Sequence, residues 1–514
     1  MRLKPFDPGG SFSAAAQHTG SHLRRRAVRG AGVTFLSGGA GLVIQTIGTV
    51  VLARLLTPAD FGLVAMVTTF SLLLVSFGEN GLPEAIVQRE EIDHGLASNL
   101  FWFNLGAGAV LTILFASAGS LLARLYSEAR VQPVAIGVSL TILATSTSVL
   151  HLALLKRAML FFEVSLNTIL ARLVSVSVAI AFAWTGWGHW ALVAGAVALP
   201  ISQSIGAWFL CRWVPGPPRR AAGTESTLRF AVNTYARFGV NYCTRNTDKL
   251  LVGWRFNAQS LGYYKKAYDL FSLSATQFVN SLTLVAVSAL SRIDPKSAEY
   301  QHYLLRTLTV MAFLGMGLGG VLTLVGTDVI RVLLGPGWEE AGRIFTYFGP
   351  GVGALIFYNT HGWIHLSIGR ADRWLRWGLV EFAVTAALFL AGLPWGPVGV
   401  ALAWTASFWI LLIPAMSYAG SPIGFQVGPV IAAIWRYLAA SLMAGAATAL
   451  IIRQSSFLLA AAGAAGSAIR IVIISLLFGA LYLAAIVLLH RSLAPIHQVV
   501  RLLREMVTSS KRTA

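Results

Sequence analysis

The sequence predicts an all-α polytopic membrane protein of about fourteen transmembrane helices, with both termini on the inner side. They group as two six-helix lobes, a parallel pseudo-repeat, followed by two C-terminal helices. Three observations lead there. Hydrophobic residues make up 56% of the 514 and charged residues only 11%. Soluble domains carry about a quarter charged residues, so lipid is the main solvent of this chain. Loop charges are biased to one side of the membrane, and a helix–turn–helix pattern recurs with an offset of 200 residues.

Taken in order, residues 1–30 are polar, rich in Ser, Gly and Arg, and lack an apolar signal-peptide core. They read as a disordered basic inner tail ending at Arg24-Arg25-Arg26. Windows of about 20 residues, the length that crosses the hydrocarbon core, define the N-terminal lobe, 31–211. Its spans run Gly32–Ala53, Phe61–Phe77, Leu96–Leu121, Val131–Leu152, Val164–Trp184 and Trp190–Cys211. A Pro- and Arg-rich inner linker, 212–228, follows. The C-terminal lobe, 229–420, holds Phe230–Trp254, Leu270–Leu290, Leu304–Leu324, Ile344–Ile368, Trp374–Leu393 and Val398–Tyr418. Residues 421–490 add Val430–Ile452 and Ile471–His490. Residues 491–514 mix apolar and basic positions at helical spacing and read as an amphipathic inner-leaflet tail.

With the N-terminus inside, inner loops and tails hold about 24 Lys and Arg against about 10 on the outer side. Removing one span would reverse half of the clusters. The repeat pairs Val51–Leu63, VLARLLTPADFGL, with Leu250–Tyr263, LLVGWRFNAQSLGY, so that Phe61-Gly62 falls on Leu261-Gly262. The paired spans are an even number of crossings apart and therefore run the same way, as parallel repeats do.

The net charge of +19 is spread over short loops and tails rather than gathered in a patch, which argues against nucleic acid as a partner. Cys211 and Cys243 lie in apolar segments without metal-type spacing. No loop exceeds about twenty residues, which leaves no room for a soluble catalytic domain. Neither a Walker loop nor an HExxH motif occurs, so no catalytic residue, metal or cofactor is assigned and an enzyme is not expected. Glu339-Glu340 reads as an interfacial helix start beside the anchor Trp338. His361 and His365 have ligand spacing but no nearby carboxylate, and read as a polar pair facing a cavity.

The chemistry concentrates in Arg229–Tyr264. Asn233, Arg237, Asn241, Arg245 and Lys249 follow one another at i+4, which forms a slowly drifting stripe on one helix. Ionisable groups inside a span cost several kcal/mol, roughly 2.5–3.5 on insertion scales, and mark cavities or pathways. Arginine grips phosphate through two bonds and lysine as a point charge, so a cationic, amide-lined stripe fits an anionic cargo. The expected binding set is Arg237, Asn241, Arg245, Asn246, Lys249 and, in the fifth span, Arg172. Asp248 and Glu381, in the eleventh, are the carboxylates available for ion coupling.

Several stretches carry a resemblance: VLARLLTPADFGLVAM (Val51–Met66), GLPEAIVQREEIDHGLASNLFWFNL (Gly81–Leu105), GWGHWALVAG (Gly186–Gly195) and TRNTDKLLVGWRFNAQSLGYYKKAYDL (Thr244–Leu270). LLGPGWEEAG (Leu333–Gly342) and IGRADRWLRWGLVE (Ile368–Glu381) complete it. In this order they resemble the polysaccharide-biosynthesis, O-antigen flippase-like family of the multidrug/oligosaccharidyl-lipid/polysaccharide exporter superfamily. Within it they are similar to the colanic-acid-exporter-like group. The resemblance implies a two-lobed flippase working by alternating access. It implies an undecaprenyl-pyrophosphate-linked oligosaccharide as cargo, moved across the bacterial inner membrane for exopolysaccharide, capsule or lipopolysaccharide synthesis. It further implies work beside a polysaccharide polymerase and export machinery. Asn241, Arg245, Asn246, Asp248 and Lys249 sit on the family's motif, whereas Arg237 rests on spacing alone. The alternatives are a cation-coupled small-molecule exporter of the same superfamily and a membrane glycan polymerase.

Overall fold

The computed structural model describes residues 3–12, 21–79, 82–89, 91–218, 224–455, 463–494 and 496–497. The expected amphipathic helix of the C-terminal tail falls almost wholly outside them. The described residues are nearly all helical, which satisfies every backbone group locally, as lipid requires. In order the helices are α1 Ser21–Leu55, α2 Pro58–Glu79, α3 Leu82–Gln88, α4 His94–Ser117, α5 Gly119–Tyr126 and α6 Val131–Ser146. Next come α7 Val149–Arg157, α8 Phe161–Trp184, α9 His189–Leu210, α10 Thr224–Arg255, α11 Ala258–Leu290 and α12 Ala298–Leu334. The last are α13 Glu339–Tyr358, α14 His361–Ser367, α15 Ala371–Gly392, α16 Gly396–Gly420, α17 Gly428–Gln454 and α18 Gly463–His490. Each window expected from the sequence falls on one of these helices or on two consecutive ones. Among the described residues, 10 helical stretches are long and apolar enough to cross a membrane. The charge-bearing α10 is not one of them.

The chain divides into two compact units, Met1–Gly262 and Tyr263–Ala514. In the first, α1 lies on α8 through two glycines. A Cβ at Gly48 would stand 2.8 Å from Val176, and one at Gly41 would stand 3.1 Å from the Arg172 guanidinium. The N-termini of α2 and α11 cross backbone to backbone. A Cβ at Gly62 would lie 1.6 Å from Ala258 O, and one at Gly262 would lie 1.9 Å from Pro58 O. The contact is reciprocal at the 200-residue offset, which gives both motif glycines a physical reason. The repeat places α10 at the start of the C-terminal lobe, whereas by packing α10 joins the first unit. The reason is local: α10 lies along α2, and its tyrosines bond to α2 carbonyls.

Two expectations change at the ends of this unit. Residues 3–12 are ordered rather than disordered, because Phe6 and Phe12 flank the turn-forming Asp7-Pro8-Gly9-Gly10 and pack edge to face at 5.9 Å. The linker is likewise pinned as far as Gly216, where Trp102 Nε1 donates to its carbonyl at 2.8 Å.

The second unit is built around α12. Gly315 and Gly319 meet Gly349 and Gly353 of α13 at backbone distance, the small-residue packing that brings membrane helices close. On another side of α12, Ser441 Oγ of α17 donates to Met316 O and Tyr482 Oη of α18 donates to Phe313 O, both at 2.8 Å. Arg470 of α18 also pairs with Asp328, both side chains about 15% exposed. An aromatic column, with Phe271 stacked on Phe348 at 4.7 Å and Trp404 on Phe408 at 5.1 Å, fills the core. His361 and His365 are buried in that core. They are 3% and 0% exposed and pack on Tyr358, Trp377 and Tyr418. Trp338 is buried too, edge on to Tyr263 at 6.0 Å, so it is not a surface anchor, although α13 does begin at Glu339.

Candidate functional site

The cationic stripe lies on α10, and the attachment of that helix decides which of its residues are available. Tyr235 and Tyr242, two turns apart, donate to Leu73 O and Thr69 O of α2, each at 2.9 Å. That defines the face of α10 turned to α2. A row spaced by four drifts about 40° per step on a helix with 100° per residue. Lys249 lies seven residues after Tyr242 and so shares its face, whereas Arg245 stands about 60° away from it.

The contacts follow this geometry. Lys249 is buried at 8% exposure, and its Nζ donates to Asn246 Oδ1 at 2.8 Å and to Arg245 O at 3.4 Å. Asn246 Nδ2 in turn donates to Tyr242 O at 2.8 Å. The structure therefore joins Asn246 and Lys249 into one intrahelical network. Asp248 is fully buried beside them. Arg245 is half-buried. Among the described residues its guanidinium makes no hydrogen bond or ion pair. Arg172, half-buried on α8 against Gly41, is in the same position. The side chains of Arg237 and Asn241 lie outside the described ones. Glu381 is half-buried on α15 of the second unit and is engaged in an interaction.

Chemically, α10 presents the Arg245 guanidinium one turn before a lysine that is already engaged, and α8 separately presents that of Arg172 against α1; among the described residues neither guanidinium is bonded. Such groups bind an anion, and phosphate matches the fork best. Among the described residues no cluster of three or more His, Cys, Asp or Glu is placed to hold a metal. The sequence reading missed Tyr235 and Tyr242, which set the rotation of the stripe. Their seven-residue spacing was the available signal. It also missed the Asp328–Arg470 pair, whose partners are 142 positions apart.

Residues 51–343 match the family model described as polysaccharide biosynthesis protein. The chain belongs to this family. Among curated members, it is 22% identical over 392 residues to the lipopolysaccharide biosynthesis protein WzxC of Escherichia coli (strain K12), covering 74% of this chain and 78% of that protein. It is 23% identical over 358 residues to the teichuronic acid biosynthesis protein TuaB of Bacillus subtilis (strain 168), covering 69% and 74%. The succinoglycan biosynthesis transport protein ExoT of Rhizobium meliloti (strain 1021) is 21% identical over 394 residues, covering 76% and 78%. Among solved structures, the lipid II flippase MurJ in an inward closed conformation superposes with a TM-score of 0.71 at 15% identity, covering 91% of this chain and 100% of that one. An inward-facing multidrug resistance MATE transporter of the MOP superfamily gives 0.58 at 12%, covering 75% and 94%. At these identities the structural likeness establishes the fold alone: this polysaccharide biosynthesis protein has the MOP transporter fold.

Proposed function

We propose that this polysaccharide biosynthesis protein is a flippase for lipid-linked oligosaccharide. The cargo is an undecaprenyl-pyrophosphate-linked unit, moved from the inner to the outer leaflet of the bacterial cytoplasmic membrane by alternating access. The observation that carries the reading is that the guanidinium groups of Arg172 on α8 and Arg245 on α10 make no hydrogen bond or ion pair among the described residues of a chain from this family. The pyrophosphate takes their bidentate donors, and the lipid tail stays in the bilayer. Arg237 and Asn241 extend the same row toward the start of α10. Lys249 adds positive potential while Asn246 holds its ammonium. Asp248 and Glu381 are the candidates for ion coupling. No covalent step is assigned to the chain, and polymerase and export proteins act on the delivered cargo.

A small-molecule exporter selecting cations would place carboxylates where this chain places guanidiniums, which disfavours that alternative. The test is a strain in which this chain is deleted. Lipid-linked oligosaccharide is expected to accumulate on the inner leaflet, and sugar analysis of it identifies the cargo. Wild-type accumulation levels, or elongation of glycan chains by the purified protein in detergent, would contradict the proposal.

A further inference from the structure

Leu3–Phe12 lies outside the family-matched stretch, 51–343, yet it is built into the first unit. Leu3 N donates to Leu210 O at 2.8 Å and Leu3 O accepts from Arg212 N at 2.9 Å, forming a parallel bridge beside Cys211. Farther along, Gly10 O accepts from His94 N at 2.8 Å. Phe12 is buried against α3, α4 and Trp213. The Arg157 guanidinium stands 5.2 Å from the centroid of its ring while donating to Ile86 O and Arg89 O at the end of α3. The segment thus ties the end of α9, α3, the start of α4 and α7 together.

What it holds down is the beginning of the linker to α10. Past Cys211 the linker runs along α4. His94 Nε2 reaches Val214 O at 3.3 Å, Gly216 N donates to Ser98 Oγ at 3.0 Å, and Trp102 Nε1 donates to Gly216 O. From α7, His151 Nε2 donates to Trp213 O at 3.2 Å. With these contacts made, the start of α10 hangs from Gly216 on a tether of at most about 28 Å, at about 3.5 Å per residue. With the linker released from Leu210 onward, the tether reaches about 49 Å.

We infer that Leu3–Phe12 is a strap that brakes α10. Seated, it keeps the linker on α4 and limits the travel of the helix that carries Arg245; lifting it frees that helix for full-rate transport. The inference rests on the flippase reading for its transport readout, and an independent readout is built into the chain. Cys211 is fully buried beside the strap, and the only other cysteine, Cys243, is exposed.

In a Cys243→Ser background, alkylation of Cys211 by a maleimide in native membranes should be roughly tenfold faster in a chain lacking residues 2–12 than in the full chain. In the same background, Leu3→Cys places a second thiol opposite Cys211, within reach of disulfide geometry. The oxidised protein should move lipid-linked oligosaccharide roughly tenfold more slowly than the same protein after reduction. The chain lacking residues 2–12 should match or exceed the wild-type rate. Equal rates before and after reduction would overturn the strap, because it would then have no need to lift. A folded deletion variant that transports more slowly than wild type, or still protects Cys211, would overturn it as well. If the full chain moves no lipid-linked oligosaccharide at all, the flippase reading fails, and alkylation of Cys211 alone then decides the strap.

Discussion

Arg470 and Arg245 both sit in helices of a membrane protein, and the structure treats them in opposite ways. Arg470 of α18 gives Nε and Nη2 to the two oxygens of Asp328 on α12, and Nη2 also reaches Ser467 Oγ at 2.9 Å. Its charge is balanced inside the unit, and its work is to fasten the C-terminal helices to α12. Arg245 of α10 has no such partner among the described residues, and neither does Arg172 of α8. Lys249, one turn beyond Arg245, is spoken for by Asn246. A cation inside a span therefore says little by itself, and its partner decides whether it is a fastening or a site. By this criterion the second unit uses Arg470 to hold its shape, while the first keeps guanidinium donors available.

The largest effect expected from this contrast is on stability. Asp328→Ala leaves Arg470 buried and uncompensated and should cost about 3–5 kcal/mol, seen as a lower melting temperature in detergent. Replacing both partners with apolar residues of similar size should recover most of that loss. Next, Tyr242→Phe removes one bond between α10 and α2 and should cost about 1 kcal/mol, with reduced transport because the stripe is less firmly oriented. Arg245→Ala breaks no described contact and should change stability by less than about 0.5 kcal/mol. A loss as large as that of Asp328→Ala would erase the distinction between fastening and site.

The smallest effect concerns a pair outside the spans. The side-chain bond from Arg130 holds the Glu128 carboxyl below its usual range. Its folded pKa is lower than its unfolded one, so the contribution is complete above the unfolded value and fades as pH falls through the folded one. Arg130 is 57% exposed, so Glu128→Gln should cost no more than about 0.5 kcal/mol near neutrality.

Much of the frame was legible because lipid imposes strong rules. Span length located the helices, and Gly62 and Gly262, which the 200-residue offset pairs, lie against each other. The N-terminal strap was not legible, since a polar, glycine-rich segment looks disordered until Phe6 and Phe12 find a surface to cover. The aromatic surroundings of His361 and His365 were not legible for a related reason: polarity in the sequence does not tell whether aromatic neighbours from distant helices enclose a ring. In the candidate site, the spacing puts Arg245 and Lys249 on one helix, α10. The division into engaged Lys249 and available Arg245 could not be read that way, because it depends on which face of α10 meets α2.

The central claim is that Arg245 serves cargo and not the fold. It is tested most directly by introducing Arg245→Ala into a strain whose own copy is deleted. Inner-leaflet lipid-linked oligosaccharide and the melting temperature of the purified variant are then measured together. The account predicts that the intermediate accumulates as in the deletion strain while the melting temperature stays at the wild-type value. Normal delivery to the outer leaflet by a stable Arg245→Ala protein would contradict it.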